Sequence, residues 1–425
     1  IVKVLQKTNN VQRSTYLWNA FSATMLAMQS PIILMVMTRT NGVRDAGIFS
    51  IAIAFANLAM YVGQYGIRRF QASDIRAQFS FNEYHGMRII TCLMLVAVSL
   101  GYCCYGMFNK GYSTTKFAVI FMICMLKLVQ AYSDVYHGHM QHRGRFDVAA
   151  KATAIRYLSE VVVFCGMLLL TGNLLLSACV CVACSVVLMV LLSMNATRFY
   201  AESLKPVFKL TALKGLAIEG FPLFVSMFLN TYVGNAPKYA IDSYLTDDIQ
   251  AVFNMIFMPA FVVQIVAQFI FNPLITSYAK LWNEHSRVAF DRFMKSVGRM
   301  CMLVAGLFVL GLVVAATIGI PVLSIFFGMD LSEYKMELCI IMIGGGMLAY
   351  ATYFSTVIAI IRVQKHLIGC YGIVSLAAVL TSGLFVSKYG ITGAAWFYVM
   401  LMVILAVSLG AVMFVKLRKE RAELR

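Results

Sequence analysis

Long, uninterrupted apolar runs organise this chain, with neither the strict alternation of half-buried strands nor the one-sided stripe of soluble helices. A helix needs about 20 apolar residues to cross a hydrocarbon core. By that measure the pattern predicts spans near Thr15 to Thr38, Ala46 to Tyr65, Arg88 to Phe108, Phe117 to His139, Val148 to Leu170 and Leu174 to Met194. After a polar stretch from Asn195 to Lys214, six more runs follow: Gly215 to Ala236, Ile249 to Ser277, Met294 to Ile318, Leu331 to Ile361, His366 to Val386 and Thr392 to Val415. The expected fold class is an all-α polytopic membrane protein with about twelve transmembrane helices. It would be organised as an N-terminal six-helix bundle (1–195), a linker (196–214) and a C-terminal six-helix bundle (215–425).

Composition supports that reading. Of 425 residues, 61% are hydrophobic and 12% charged, against about 45–50% and about 25% in soluble domains. Twelve spans consume most of the apolar share and leave little for a water-soluble domain. The net charge of +17 would suggest nucleic acid in a soluble protein, but in a membrane protein it reports loops facing anionic lipid, so no nucleic-acid partner is expected. With the N-terminus inside, 26 of the 35 Lys and Arg fall on inner segments and 7 on outer ones, which predicts that both termini are cytoplasmic. No outer segment is longer than about 20 residues, so the sequence offers no extracytoplasmic catalytic domain, and an enzyme is not expected.

The eleven Cys lie in or beside apolar runs and read as packing residues. Cys181 and Cys184 spell CxxC but lack a second ligand pair for zinc. His137, His139 and His142 do not share one helix face, so no metal or cofactor is expected there either. The basic start (Lys3, Lys7, Arg13) runs into a full-length span without a small-residue cleavage site, which predicts a retained first helix.

A faint repeat links the halves. Ala46-Gly47-Ile48-Phe49-Ser50 echoes Gln250-Ala251-Val252-Phe253-Asn254, and Gln64 falls on Gln268, at an offset of 204; Phe81-Asn82-Glu83 echoes Trp282-Asn283-Glu284 at 201. An even number of spans per half gives both halves the same orientation, as in parallel-repeat transporters.

Several short motifs carry a resemblance: Gly42-Val43-Arg44-Asp45-Ala46-Gly47-Ile48-Phe49-Ser50, Tyr65-Gly66-Ile67-Arg68-Arg69-Phe70, Gln141-His142-Arg143-Gly144-Arg145 with Ala154-Ile155-Arg156 in the next helix, and Glu219-Gly220-Phe221-Pro222-Leu223. They resemble the bacterial polysaccharide flippases of the multidrug/oligosaccharidyl-lipid/polysaccharide exporter (MOP) superfamily. The resemblance implies two parallel six-helix bundles around a central cavity in the bacterial plasma membrane. It also implies alternating access that carries an undecaprenyl-linked oligosaccharide repeat outward for cell-surface polysaccharide, with membrane lipids and other polysaccharide-assembly proteins as partners.

Ionisable groups inside spans are the first candidates for function. Lys127 and Asp134 on the fourth span face Arg156 and Glu160 on the fifth. In an antiparallel hairpin, matched depth means a constant sum of residue numbers, and Lys127 with Glu160 (287) and Asp134 with Arg156 (290) both satisfy it. These pairs read either as a structural ladder or as part of the transport path. For an anionic head group the candidates are Arg39, Arg68, Arg69, Lys238 (placed after the seventh span) and Arg362, because guanidinium donates two parallel hydrogen bonds to phosphate. For sugar hydroxyls they are Asn19, Gln64, Asn230 and Gln268, with Gln29, Asn57, Asn254 and Gln264 equally able to serve as interhelical glue. Glu219 is the expected site of H+ or Na+ coupling, unless it pairs with Lys214. Pro31, Pro222, Pro259, Pro273 and Gly344-Gly345-Gly346 are read as points where helices bend. Two other classes compete. A cation-coupled multidrug antiporter would carry unpaired carboxylates at mid-membrane; a polysaccharide polymerase or transferase, using Asp247 or Asp248 as base, would need a long outer loop.

Overall fold

The computed structural model describes residues 5–74, 78–201, 203–271, 274–284 and 286–423. Lys3, Arg76, Pro273 and Arg425 lie outside them, as does the side chain of Gln268. Every apolar run becomes a helix: α1 Val11–Thr40, α2 Val43–Gln64, α3 Phe81–Asn109, α4 Thr114–His142, α5 Phe146–Thr171, α6 Leu174–Thr197, α7 Leu210–Tyr244, α8 Asp247–Phe271, α9 Arg287–Phe327 and α10 Lys335–Ile360. A further helical stretch, Lys365–Glu423, breaks at Gly390 (φ 57°, ψ −136°) into α11 (365–389) and α12 (391–423). No strand occurs among the described residues, and the all-α polytopic class holds.

Most helices extend beyond the bounds that hydropathy alone indicates, whereas α2, α8 and α10 end short of theirs, because capping chemistry and not apolarity sets helix ends. Ser80 and Glu83 form a reciprocal capping box, with Ser80 N donating to Glu83 Oε2 at 2.8 Å and Glu83 N to Ser80 Oγ at 3.3 Å. Helix α3 therefore starts seven residues before Arg88, so this residue, expected at the start of the third span, lies two turns inside the helix and is fully buried. Similarly α7 continues to Tyr244, so Lys238 is inside the helix and buried, not in a loop after it. The polar stretch 195–214 shortens to a connector, 198–209, between α6 and α7.

The chain divides into two compact units, 1–231 and 232–425. In the first, α2 is central; its side chains from Ala46 to Ala56 are all buried. Small residues permit this. A Cβ at Gly63 would come within 2.7 Å of Leu95 and 3.0 Å of Ala131, so the α2 backbone lies directly against α3 and α4. At the end of this unit where α3 begins, Phe81, Tyr84, Met87, Tyr136, Met140, Val148 and Leu192 form one apolar core. The connector is strapped across it: His85 Nδ1 contacts Leu204 O at 2.8 Å, His139 Nε2 contacts Tyr200 O at 3.0 Å, and Asn82 donates to Lys205 O at 2.7 Å while accepting from Val207 N at 2.9 Å. Two of the resemblance motifs meet in the same unit. Gly66, in the left-handed region (φ 69°), lies where a Cβ would be 2.7 Å from that of Leu223, and the rings of Tyr65 and Phe224 stack at 4.9 Å.

In the second unit the glycine triplet does not loosen α10, which is continuous from Lys335 to Ile360. Each glycine instead admits a different neighbour: the Tyr398 ring of α12 against Gly344, Ala260 of α8 within 2.8 Å of a Cβ at Gly345, and the Phe308 ring of α9 against Gly346. Without a hydrophobic force between helices in lipid, such close approach supplies much of the packing energy. Gly346→Val should therefore be overpacked by about 1–3 kcal/mol and should lower the melting temperature in detergent. Gly369→Val, with nothing within 4 Å of its Cβ position, should leave that temperature unchanged.

Candidate functional site

Within the first unit, helices α1, α4, α5 and α6 converge on one carboxylate. Glu160, fully buried on α5, accepts from Gln29 Nε2 of α1 at 2.8 Å, Gln130 Nε2 of α4 at 3.1 Å and Ser185 Oγ of α6 at 2.6 Å. Its own-helix partner is Arg156, with Nε 3.5 Å from Oε1. The i,i+4 spacing stacks the two side chains on one helix face. Arg156 also donates to Ser133 Oγ of α4.

A second centre lies around Asp134 of α4. Its two oxygens are shared by two guanidiniums, Arg68 Nη1 at 2.9 Å and Arg88 Nη2 at 3.3 Å. Arg88 also donates to Gly63 O at 2.5 Å, and Thr91 Oγ1 to the same oxygen at 2.7 Å. That carbonyl is in the last turn of α2, where no intrahelical donor remains. Arg68 belongs to the short helix Ile67–Ser73 and stays partly open, its side chain 31% exposed and its guanidinium 5.3 Å from the centre of the Phe146 ring.

The expected ladder of opposite charges is thus differently wired. Asp134 does not pair with Arg156; it is taken by Arg68 and Arg88. Lys127 does not reach Glu160 directly but donates to Gln130 Oε1 at 3.1 Å, and Gln130 in turn donates to Glu160. Matching depth does not specify rotation about the helix axis, and the amide of Gln130 fills the gap between the two charges. Gln130, Ser133, Ser185 and Arg88 escaped the sequence reading as participants. The Ser80–Glu83 capping spacing was the available sign for Arg88; the others carry no signal, because Gln and Ser are common in spanning helices.

The remaining candidates are dispersed. Arg39, Arg69 and Arg362 are exposed, and Arg362 has a left-handed backbone (φ 57°) just after α10. Asn19 and Asn230 are exposed and Gln64 is half-buried. Glu219 is exposed on α7 and forms no ion pair with Lys214. The three histidines point to separate partners: His137 to Ser193 Oγ at 3.0 Å, His139 to Tyr200 O and His142 to Asp74 O at 3.1 Å.

In the second unit, Lys238 Nζ sits 5.0 Å from the centre of the Phe257 ring, which packs edge-on against Tyr398 at 4.7 Å. Two turns nearer the start of α10 than Gly344, the buried carboxyl of Glu337 accepts from Thr392 Oγ1 of α12 at 2.5 Å, while its Oε2 has no hydrogen-bond partner. Gln250 of α8, two turns before Phe257, is also buried with neither amide atom bonded. Sequence reading passed over Glu337 because it falls near the start of a span, where acidic residues are ordinary.

Asp134→Asn should leave Arg88 with an uncompensated buried charge and cost roughly 3–5 kcal/mol. Lys127→Met removes a buried ammonium held by one amide and should keep or raise stability. Melting temperatures of the two variants in detergent, measured against the parent chain, test this ordering.

No protein-family model matches the chain, and no curated protein matches it in sequence. Solved structures do match in three dimensions. The lipid II flippase MurJ, in an inward closed conformation, superimposes with a TM-score of 0.72 at 14% identity, covering 94% of this chain and 89% of that one. A multidrug resistance MATE family transporter of the MOP superfamily gives 0.68 at 12% identity, over 94% and 95%. A MOP superfamily transporter from Pyrococcus furiosus gives 0.56 at 12% identity, over 100% and 98%. The chain therefore has the fold of the MOP-superfamily transporters, multidrug and lipid-flippase alike.

Proposed function

We propose that the chain is a flippase that carries an undecaprenyl-linked oligosaccharide across the bacterial plasma membrane by alternating access, for surface polysaccharide assembly, with both termini cytoplasmic. The observation that carries this reading is the charge balance inside the first unit. Arg68, Arg88, Lys127 and Arg156 cluster around Asp134 and Glu160, both carboxylates are already paired with arginine, and the other buried carboxylate of these helices, Asp147, is itself shared by two cations, Arg145 and Lys151. An interior with surplus positive charge suits a diphosphate crossing a low-dielectric layer and repels an organic cation. The P. furiosus relative, whose binding pocket is described as having reverse polarity suggesting a different function, supports the use of pocket sign as a guide to substrate.

A second reading, the cation-coupled multidrug antiporter, is favoured by one group. Glu337 is a buried carboxyl with an unbonded oxygen. In the flippase reading that group, and not the exposed Glu219, is where H+ or Na+ coupling belongs.

The test is expression in a bacterium that lacks its own polysaccharide flippase. Surface polysaccharide should be restored and drug susceptibility left unchanged; the opposite result would favour the antiporter. Arg39→Ala and Lys238→Ala should keep membrane abundance and lower export on the order of tenfold or more, since a hydrogen bond to a charged group is worth about 1.5–3 kcal/mol. For topology, on a cysteine-free background, Ser203→Cys should resist an impermeant thiol reagent added outside and Ser243→Cys should react; the reverse would invert the orientation.

A further inference from the structure

We propose that Arg68 and Gln71, side by side on the short helix Ile67–Ser73, form a binding subsite for a diphosphate anion, and that the Asp134 carboxylate is its resident occupant. Three observations within the first unit lead there. The first is stoichiometric. One carboxylate serves two guanidiniums, so the trio carries one surplus positive charge. Of the two arginines, Arg88 is fully buried and also tied to Gly63 O, whereas Arg68 is partly exposed and held otherwise only by a long 3.5 Å contact to Gln141 Oε1 and the face of Phe146. If Arg68 turns to another anion, Asp134 keeps Arg88 and no buried charge is stranded.

The second observation is Gln71, one helical turn beyond Arg68. It is only 3% exposed, yet neither its amide nitrogen nor its amide oxygen has a hydrogen-bond partner. A buried, unbonded amide is costly and rare, and where it persists it points to a missing ligand or water. An Nε2 donor beside a guanidinium is the donor set that a phosphate oxygen accepts from.

The third observation is the floor beneath both residues. Gly138 of α4 lies under them, with Gln71 Oε1 packed against the position a Cβ would take and Arg68 Cγ 3.4 Å from it. The missing side chain lets the short helix lie on α4, with Gln71 over Gly138 and Arg68 reaching Asp134, one turn earlier on that helix. The carboxylate therefore occupies Arg68 in the empty state, and a phosphate with more negative charge and more acceptor oxygens displaces it.

This deepens the flippase reading, on which it rests for the natural ligand, but the binding itself is testable without transport. The purified full chain, in nanodiscs of zwitterionic lipid, is titrated with geranyl diphosphate, inorganic pyrophosphate and inorganic phosphate; a parallel set of nanodiscs contains phosphatidylglycerol. Geranyl diphosphate should bind and raise the melting temperature. Pyrophosphate competing with it at similar affinity would assign the site to the free anion, and weak competition to the lipid-borne head group; either source satisfies the proposal. Arg68→Ala should weaken binding at least tenfold. Gln71→Leu should weaken it several-fold while holding or raising thermal stability, a combination that a merely structural amide does not produce. Asp134→Asn, which removes the competing carboxylate, should tighten binding several-fold wherever the variant folds, and Gln71→Leu decides the matter if it does not. Unchanged binding in both Arg68→Ala and Gln71→Leu would overturn the subsite, even if polysaccharide export is confirmed. Binding of phosphatidylglycerol with no response to any diphosphate would overturn the ligand class. Failure of export with diphosphate binding intact would overturn the flippase reading and leave the subsite standing.

Discussion

Glu160 is fully buried among helices, and an ionised carboxylate in such surroundings is tolerated only if each oxygen is met by donors. Meeting them requires Gln29, Gln130 and Ser185 from three other helices, together with Arg156 from its own. The carboxylate thus makes four helices register at one depth and at one rotation. Much of the rest of the first unit follows from this constraint. With α1, α4, α5 and α6 pinned around Glu160, Asp134, one turn beyond Gln130 on α4, lies where Arg88 of α3 and Arg68 of the short helix Ile67–Ser73 reach it.

Close backbone approach is the second half of the same physics. Lipid chains are as apolar as leucine, so burying leucine between helices gains little, and packing must come from contact density and from satisfied polar groups. In the first unit Gly63 lets α2 lie against α3 and α4, and its carbonyl is then close enough to take Arg88 and Thr91. The second unit has no equivalent of the Glu160 hub among its described residues. There the glycine triplet of α10 brings α8, α9 and α12 onto a single helix, and the polar groups at that junction, Glu337 and Gln250, are left incompletely bonded.

The two units therefore treat charge differently. The first pairs Asp134 and Glu160 with arginine and keeps more cations than carboxylates around them; the second buries a lysine against an aromatic face and a carboxyl beside a hydroxyl.

The sequence by itself determined that the chain is a bundle of about twelve apolar helices, because spanning length and loop charge are local quantities that each segment declares alone. It also picked out Lys127, Asp134, Arg156 and Glu160, since a charge within an apolar run is conspicuous in one dimension. Which of them meet was decided only by the tertiary structure. Depth can be counted along a hairpin, but azimuth about a helix axis is set by packing, and a small shift in azimuth sent Asp134 to Arg68 and Arg88 and put Gln130 between Lys127 and Glu160. Lys238 moved from loop to helix interior and Arg88 from the start of a span to the buried core for a related reason. Helix ends obey capping and tertiary contact, whereas hydropathy measures only affinity for lipid.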